Sequence, residues 1–193
     1  MGGDKRLLRL FPTSPTFLER TVAIGRLVAD RVAVIGGSFP DEPDGRVTVI
    51  ADLWPAQGPL GALRTALWAY PKDRLVVLAI DYPLLQVSSV ARVVQGLDGH
   101  DAAIAVGPEA DGHRRHPLVG AYDGSRCASL AGQLFDRGER SMVALLAELN
   151  VRSVRGEEAE ELALGSLSLS NVNTPSDVDR LRRASIEMDI LRA

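Results

Sequence analysis

Cysteine is nearly absent from this 193-residue sequence: Cys127 stands alone, so neither an intramolecular disulfide nor a multi-cysteine metal site can form. A reducing compartment suits such a chain, and Cys127 reads as a small, half-buried apolar residue rather than a reactive thiol. Excess positive charge is also missing. The 22 Lys and Arg are outnumbered by 25 Asp and Glu, a formal net charge of −3. That balance excludes the broad basic field with which proteins hold nucleic-acid phosphates or anionic lipid, so no nucleic acid and no membrane are expected as partners. No apolar run reaches the ~18 residues of a membrane span. The N-terminus lacks the apolar core of a secretion signal, and a cytoplasmic location is expected. Repeats, linkers and low-complexity tracts are missing too, so residues 1–193 read as one domain.

What is present is an ordinary globular composition, 46% hydrophobic and 24% charged. A chain of this length hides roughly 70% of its unfolded surface in a single core. Short β-branched runs alternate with helical stretches, the rhythm of βα units. The runs are Val32 to Ile35, Val47 to Ile50, Leu75 to Ile80, Ala102 to Val106 and Pro117 to Tyr122. Leu75 to Ile80 carries no polar residue, which predicts a central strand covered on both faces. Ser14 before Pro15 predicts an N-cap and first turn, followed by an apolar face of Phe17, Thr21, Ile24 and Val28. Leu60, Leu63 and Leu67 predict a second helix, and Val90, Val93 and Val94 a third. Ala128 to Phe135 and Met142 to Leu149 predict two more, divided at Asp136-Arg137-Gly138. Thr174-Pro175-Ser176-Asp177 opens the last. The expected fold class is α/β, a three-layer Rossmann-like arrangement around a mostly parallel mixed sheet.

Chemistry should gather where parallel strands end. Asp81 directly follows the apolar run and is placed to hold a hard cation against phosphates, although a turn aspartate before Pro83 would look the same. Asp52 follows the neighbouring strand and is either a second crevice acid or a solvated loop residue. Gly58-Pro59-Leu60-Gly61 starts a helix whose free N–H groups suit an anion or a base edge, and glycine-proline also simply starts helices. Lys5, after Met1-Gly2-Gly3-Asp4, suits phosphate contact. Asn171 and Asn173 lie on one side of an extended segment before a capped helix, where they serve a ligand or a turn. His100 and His113 read as surface residues, and Gly138 to Ser141 as capping.

In order, Met-Gly-Gly-Asp-Lys, Gly-Pro-Leu-Gly-Ala-Leu, Asp81-Tyr82-Pro83, His116-Pro117-Leu118 and Asn171-Val172-Asn173-Thr174-Pro175 resemble the molybdenum cofactor guanylyltransferase family over nearly the whole chain. The resemblance implies that a molybdopterin phosphate attacks the α-phosphate of GTP with Mg²⁺, giving molybdopterin guanine dinucleotide and pyrophosphate. It implies Asp81 at the metal and Lys5 on the phosphates, both catalytic. Asp52, Gly58, Pro59 and Leu60 would position the nucleotide, Asn171 and Asn173 would lie near metal and pterin, and Arg115 with His116 would lie where the pterin approaches. Molybdoenzyme maturation proteins are the partners it suggests. The alternatives are a cytidylyl or sugar-phosphate nucleotidyltransferase and a truncated, non-catalytic pterin-binding or interaction protein.

Two departures accompany the resemblance. The family begins with a strand and a glycine-rich loop, of which this sequence has only the end. Hydrogen bonds to charged groups are worth about 1.5–3 kcal/mol each, so losing two or three predicts poor GTP binding, and the missing strand predicts a hole or an unpaired edge in the sheet. Ile35-Gly36-Gly37 stands where the family often has asparagine.

Overall fold

The structure is a computed structural model, and it describes residues 5–40, 45–109, 112–155 and 167–190. After a 3₁₀ turn at Lys5–Leu7, the order is α1 (Phe17–Val28), β1 (Val32–Ile35), β2 (Val47–Ile50), α2 (Gly58–Ala69), β3 (Arg74–Leu78) and α3 (Val87–Gln95). There follow β4 (Ala102–Glu109), β5 (Gly112–Asp123), α4 (Gly124–Asp136), α5 (Met142–Ala147), β6 (Val151–Arg155) and α6 (Pro175–Ile190). The fold is α/β with a mixed sheet. β5 runs antiparallel to β3 on one side and to β4 on the other, while β4 pairs in parallel with β6 and β1 with β2.

Local chemistry explains the helix starts. Thr16, not Ser14, caps α1: its side chain accepts from the Glu19 amide at 3.1 Å, and the Glu19 carboxylate accepts from the Thr16 amide at 2.7 Å. That reciprocal box satisfies two otherwise orphan donors. Ser14 instead bonds Phe11, through its hydroxyl to the carbonyl at 2.9 Å. At α6 the expected cap holds, with Asp177 reaching back to the Thr174 amide at 2.9 Å.

Period-two alternation along β4 joins two cores. Ala102 and Ile104 pack with Leu60, Leu63 and Leu67 of α2 and Leu134 and Phe135 of α4. Ala103 and Ala105 face the other way, onto Val90 and Val93 of α3 and Ile24 of α1. Helices therefore cover both faces, and each fully buried leucine or valine contributes about 1.5–3 kcal/mol.

The apolar run Leu75 to Ile80 is not central. β3 is the edge of a four-stranded sheet ordered β3-β5-β4-β6, and β1 with β2 forms a separate two-stranded sheet. None of Leu75 to Ile80 is fully buried, although every side chain is apolar. Between β1 and β3 lies a cavity of about 770 Å³, floored by α1 and roofed by α2. The physical reason for the misplacement is that apolarity reports burial on two faces and says nothing about whether both edges are paired. β6 was not expected from the sequence, because Val151-Arg152-Ser153-Val154-Arg155 is short and half polar and becomes a strand only beside β4.

Candidate functional site

The segments that follow the carboxyl ends of β1, β2 and β3 carry the candidate site residues of this half of the chain. β1 runs into Gly36 and Gly37, with φ of 71° and 79°, a backbone path that side chains disfavour. A Cβ on Gly37 would collide with the Arg6 guanidinium, so this glycine also makes room for the turn at Lys5–Leu7. Asp52, after β2, stands beside Gly36. One oxygen of Asp52 accepts from the Trp54 amide and from the Thr65 hydroxyl, each at 3.0 Å, and Thr65 is fully buried. Asp52 is thus held to the frame of α2 by one oxygen.

Asp81 lies three residues beyond β3. Its backbone carbonyl accepts from the Val172 amide at 2.8 Å, which fixes the Asn171 to Asn173 segment against it. Lys5 Nζ donates to the Val172 carbonyl and to Asn173 Oδ1, both at 3.2 Å. The structure therefore brings Lys5, Asp81 and Asn173 together from three distant parts of the chain. Asn171 is half-buried beside them in sequence, and the Asn173 amide also joins the α6 cap through Asp177 at 3.0 Å. Asp81 Oδ1 is buried with no hydrogen-bond partner. Burial raises the Asp81 pKa, against a hydrogen bond from its own backbone amide and the weaker pull of Lys5 and Arg114. A buried carboxylate oxygen without a donor is a costly arrangement, and a cation would relieve it.

Beside Asp81, the Tyr82 hydroxyl meets His116 Nδ1 at 3.1 Å, with the rings edge to face. Burial, with the nearby Arg114 charge, pushes His116 down to about 4, and burial with the Asp81 charge pushes Tyr82 up to about 12. Both are neutral near pH 7. His116 is 6% exposed, and Gly107 leaves it room, since a Cβ there would approach His116 Nε2 to 3.1 Å.

Arg115 alternates to the opposite side of β5 from His116 and is exposed. The cation that shares the His116 side is Arg114, whose charge is felt by Asp81, Tyr82 and His116 alike. Sequence reading passed over Arg114, although its spacing of two from His116 in a strand was the available signal. Gly58 and Pro59 are exposed at the start of α2, while Leu60 is fully buried, backbone included, and is closed to a ligand. Arg140 fixes this helix start, donating to Gln57 Oε1 at 2.9 Å and to the Phe135 carbonyl at 2.8 Å. Glu139 accepts from the amides of Arg140 and Ser141, which is the capping expected of Gly138 to Ser141. Asp52 is tied to α2 through Thr65, while Lys5, Asp81 and Asn173 gather beyond the carboxyl end of β3. Among the described residues no cluster of three or more His, Cys, Asp or Glu exists, so a metal here would rest on Asp81 and on its ligand. Cys127 is buried, donates to the Asp101 carbonyl at 3.3 Å and is pushed up to about 12 by burial, which leaves it unreactive.

A mixed sheet between two helical layers, with an acid, a lysine and glycine turns at the strand ends, is the architecture of a nucleotidyltransferase, and this chain is one. Residues 1–154 match the MobA-like NTP transferase domain, and the chain belongs to that family. It is 31% identical over 180 residues to the "Probable molybdenum cofactor guanylyltransferase" of Chloroflexus aggregans, covering 92% of this chain and 85% of that protein. A protein of the same name from Carboxydothermus hydrogenoformans is 25% identical over 94% of this chain and 88% of its own length. The crystal structure of molybdopterin-guanine dinucleotide biosynthesis protein A from Archaeoglobus fulgidus superposes with a TM-score of 0.71 at 22% identity, covering 96% of this chain and 92% of that one. The 2-C-methyl-D-erythritol 4-phosphate cytidylyltransferase of Thermus thermophilus shares the fold, with a TM-score of 0.68 at 18% identity over 94% of each chain.

Proposed function

We propose that this nucleotidyltransferase moves GMP from GTP to molybdopterin. The observation that carries the reading is the unpartnered buried oxygen of Asp81, facing the charges of Lys5 and Arg114 at the end of a strand. Mg²⁺ fits this place, because it takes one or two carboxylates and completes its shell with water and substrate phosphates. Bound there, it would neutralise charge on the triphosphate and on the attacking phosphate.

The chain's own residues supply position. Lys5, held by two acceptors, keeps a third hydrogen with which to meet the phosphates. Asp52 and the Gly58–Pro59 backbone fix the nucleotide from the side of β2 and α2, and Asn171 and Asn173 order the metal and pterin side. His116, neutral and tied to Tyr82, donates or accepts without adding charge, and Arg115 marks the outer approach of the pterin. The bond formed joins a phosphate oxygen of molybdopterin to the α-phosphorus of GTP. The bond broken is that from α-phosphorus to the bridging oxygen, and pyrophosphate leaves. Such chemistry runs on alignment and charge stabilisation and needs no covalent enzyme intermediate. The resemblance also makes molybdoenzyme maturation proteins the receiving partners and a cytoplasmic location the fitting one.

The test is calorimetric titration of GTP with Mg²⁺, paired with product analysis after molybdopterin is added, for the chain and for Asp81→Ala. Mg²⁺-dependent binding and dinucleotide formation, both lost in Asp81→Ala, are expected. Equal competition by CTP would replace guanylyl by cytidylyl transfer, and pterin binding without any triphosphate binding would overturn the enzymatic reading.

A further inference from the structure

The segment that leads from Asp52 into α2 is held at its two ends by unlike means. At the first, Asp52 is tied to Thr65, and Trp54 packs on Phe135 with ring centroids 5.5 Å apart, the Arg64 guanidinium lying over the two rings at 4.2 and 4.8 Å. At the second the chain turns sharply: the Gln57 amide donates to the Trp54 carbonyl at 3.2 Å, and Ala56 and Gly58 take φ of 61° and 77°. Glycine accepts such a φ freely. Ala56 is, among the described residues, the one non-glycine with positive φ, a conformation in which its Cβ crowds the following carbonyl. A strained residue keeps that conformation only where its surroundings hold it there.

What holds it is Arg140. α4 ends at Gly138, with φ of 90°, where the Glu139 amide reaches back to the Leu134 carbonyl and the Gly138 amide to the Phe135 carbonyl, each at 3.0 Å. That double closure fixes the direction in which the chain leaves the helix, and so where Arg140 stands. The Arg140 guanidinium lies 3.7 Å from the centre of the Phe135 ring and donates to the Phe135 and Glu139 carbonyls, both at 2.8 Å. So anchored on the end of α4, it aims its Nε donor at Gln57 Oε1, 2.9 Å away. The backbones are close as well, since a Cβ on Gly58 would stand 3.5 Å from the Arg140 carbonyl oxygen. Gln57, where α2 begins, thus uses its side chain on Arg140 and makes no capping bond to its own helix.

We infer that Arg140 is a positioning residue for nucleotide binding: through Gln57 it holds the strained Ala56 turn, and with it the Gly58–Pro59 backbone, in the shape that meets a triphosphate. The inference rests on the nucleotide site of the proposed function. Capping accounts for Glu139 within Gly138 to Ser141, but not for the Arg140 side chain, which reaches a residue 83 positions away. Lysine cannot stand in, because an ammonium has neither the fork that meets Gln57 and Phe135 together nor the flat face that stacks on a ring.

The experiment reads amide hydrogen exchange at position 57 in the free protein, and KM and kcat with MgGTP and molybdopterin. The variants are Arg140→Ala, Arg140→Lys, Gln57→Ala, the double variant Arg140→Ala with Gln57→Ala, and Arg140→Ala with Ala56→Gly. Losing one hydrogen bond to a charged group corresponds to about ten- to a hundredfold, the rise in KM expected for Arg140→Ala and Gln57→Ala. Exchange at position 57 should quicken in both, while kcat stays within about threefold, because bound nucleotide re-forms the turn. Arg140→Lys should behave as Arg140→Ala. The double variant should be no worse than Arg140→Ala alone, and Ala56→Gly, which relieves the crowding, should recover about threefold or more of the lost KM. Gln57 is exposed, so Gln57→Ala keeps the comparison open if Arg140→Ala folds poorly. Unchanged exchange at position 57, unchanged KM despite quicker exchange, full retention by Arg140→Lys, effects that multiply in the double variant, or no recovery by Ala56→Gly would each overturn the inference. An unaltered chain that binds no GTP would count against guanylyl transfer instead, and exchange at position 57 would still decide whether Arg140 holds the turn.

Discussion

Replacing Asp81 with asparagine should make the ligand-free protein more stable while removing its grip on metal and nucleotide. The folded environment raises the Asp81 pKa because burial outweighs a hydrogen bond from its own backbone amide and the attraction of Lys5 and Arg114. A carboxyl whose folded pKa is raised binds protons more tightly when folded. Its contribution is therefore most favourable below the unfolded value of 3.8 and is lost as pH rises through the folded value. At pH 7 the carboxylate is a net cost to folding. Leaving a buried polar group unsatisfied costs about 1–3 kcal/mol, and more when it is charged. Asparagine keeps a polar oxygen and gives up the attraction of the two cations, so the gain falls at the low end, about 1 kcal/mol. Lys5 keeps both acceptors, Val172 and Asn173, and is not stranded. For a chain of this size, about 1 kcal/mol raises the melting temperature by roughly 2–4 °C. Losing a contact to a charged group, about 1.5–3 kcal/mol, should weaken Mg²⁺-dependent GTP binding by roughly one to two decades. Scanning fluorimetry with and without MgGTP reads both at once: a higher melting point without ligand and a smaller shift with it. A lower melting point without ligand together with an undiminished shift would refute the assignment of Asp81 as a strained metal-binding carboxylate.

Arg114→Ala should weaken triphosphate binding and flatten its salt dependence, while Arg115→Ala changes triphosphate affinity little, as paired titrations at two ionic strengths would record. His116 is depressed to about 4 in the fold. The folded state therefore binds fewer protons than the unfolded state between about 4 and 6.5, and stability falls as pH drops through that window. His116→Phe should flatten this part of a urea-midpoint profile against pH. Thr16→Ala removes the α1 capping box and should cost about 0.5–2 kcal/mol in urea denaturation, with the nucleotide site unaffected at temperatures where the variant remains folded.

The sequence by itself determined the α/β class, because β-branched runs and helical periodicity are local patterns. β1 and β2 fall at Val32–Ile35 and Val47–Ile50, where those runs lie. It also determined the strand-end candidates, since Asp52 and Asp81 follow apolar runs directly, and it marked the Thr174 cap through its own short-range chemistry. What it left undecided depends on partners distant in the chain. That Lys5 meets Asn173 across 168 positions, and that Arg114 rather than Arg115 shares a side with His116, follow from strand pairing and chain crossing. The apolarity of Leu75 to Ile80 reported two covered faces, yet only the tertiary structure placed β3, among the described residues, at the edge of its sheet rather than at the centre. Side chains record which faces are buried, whereas edge pairing is made by backbone groups that every residue carries.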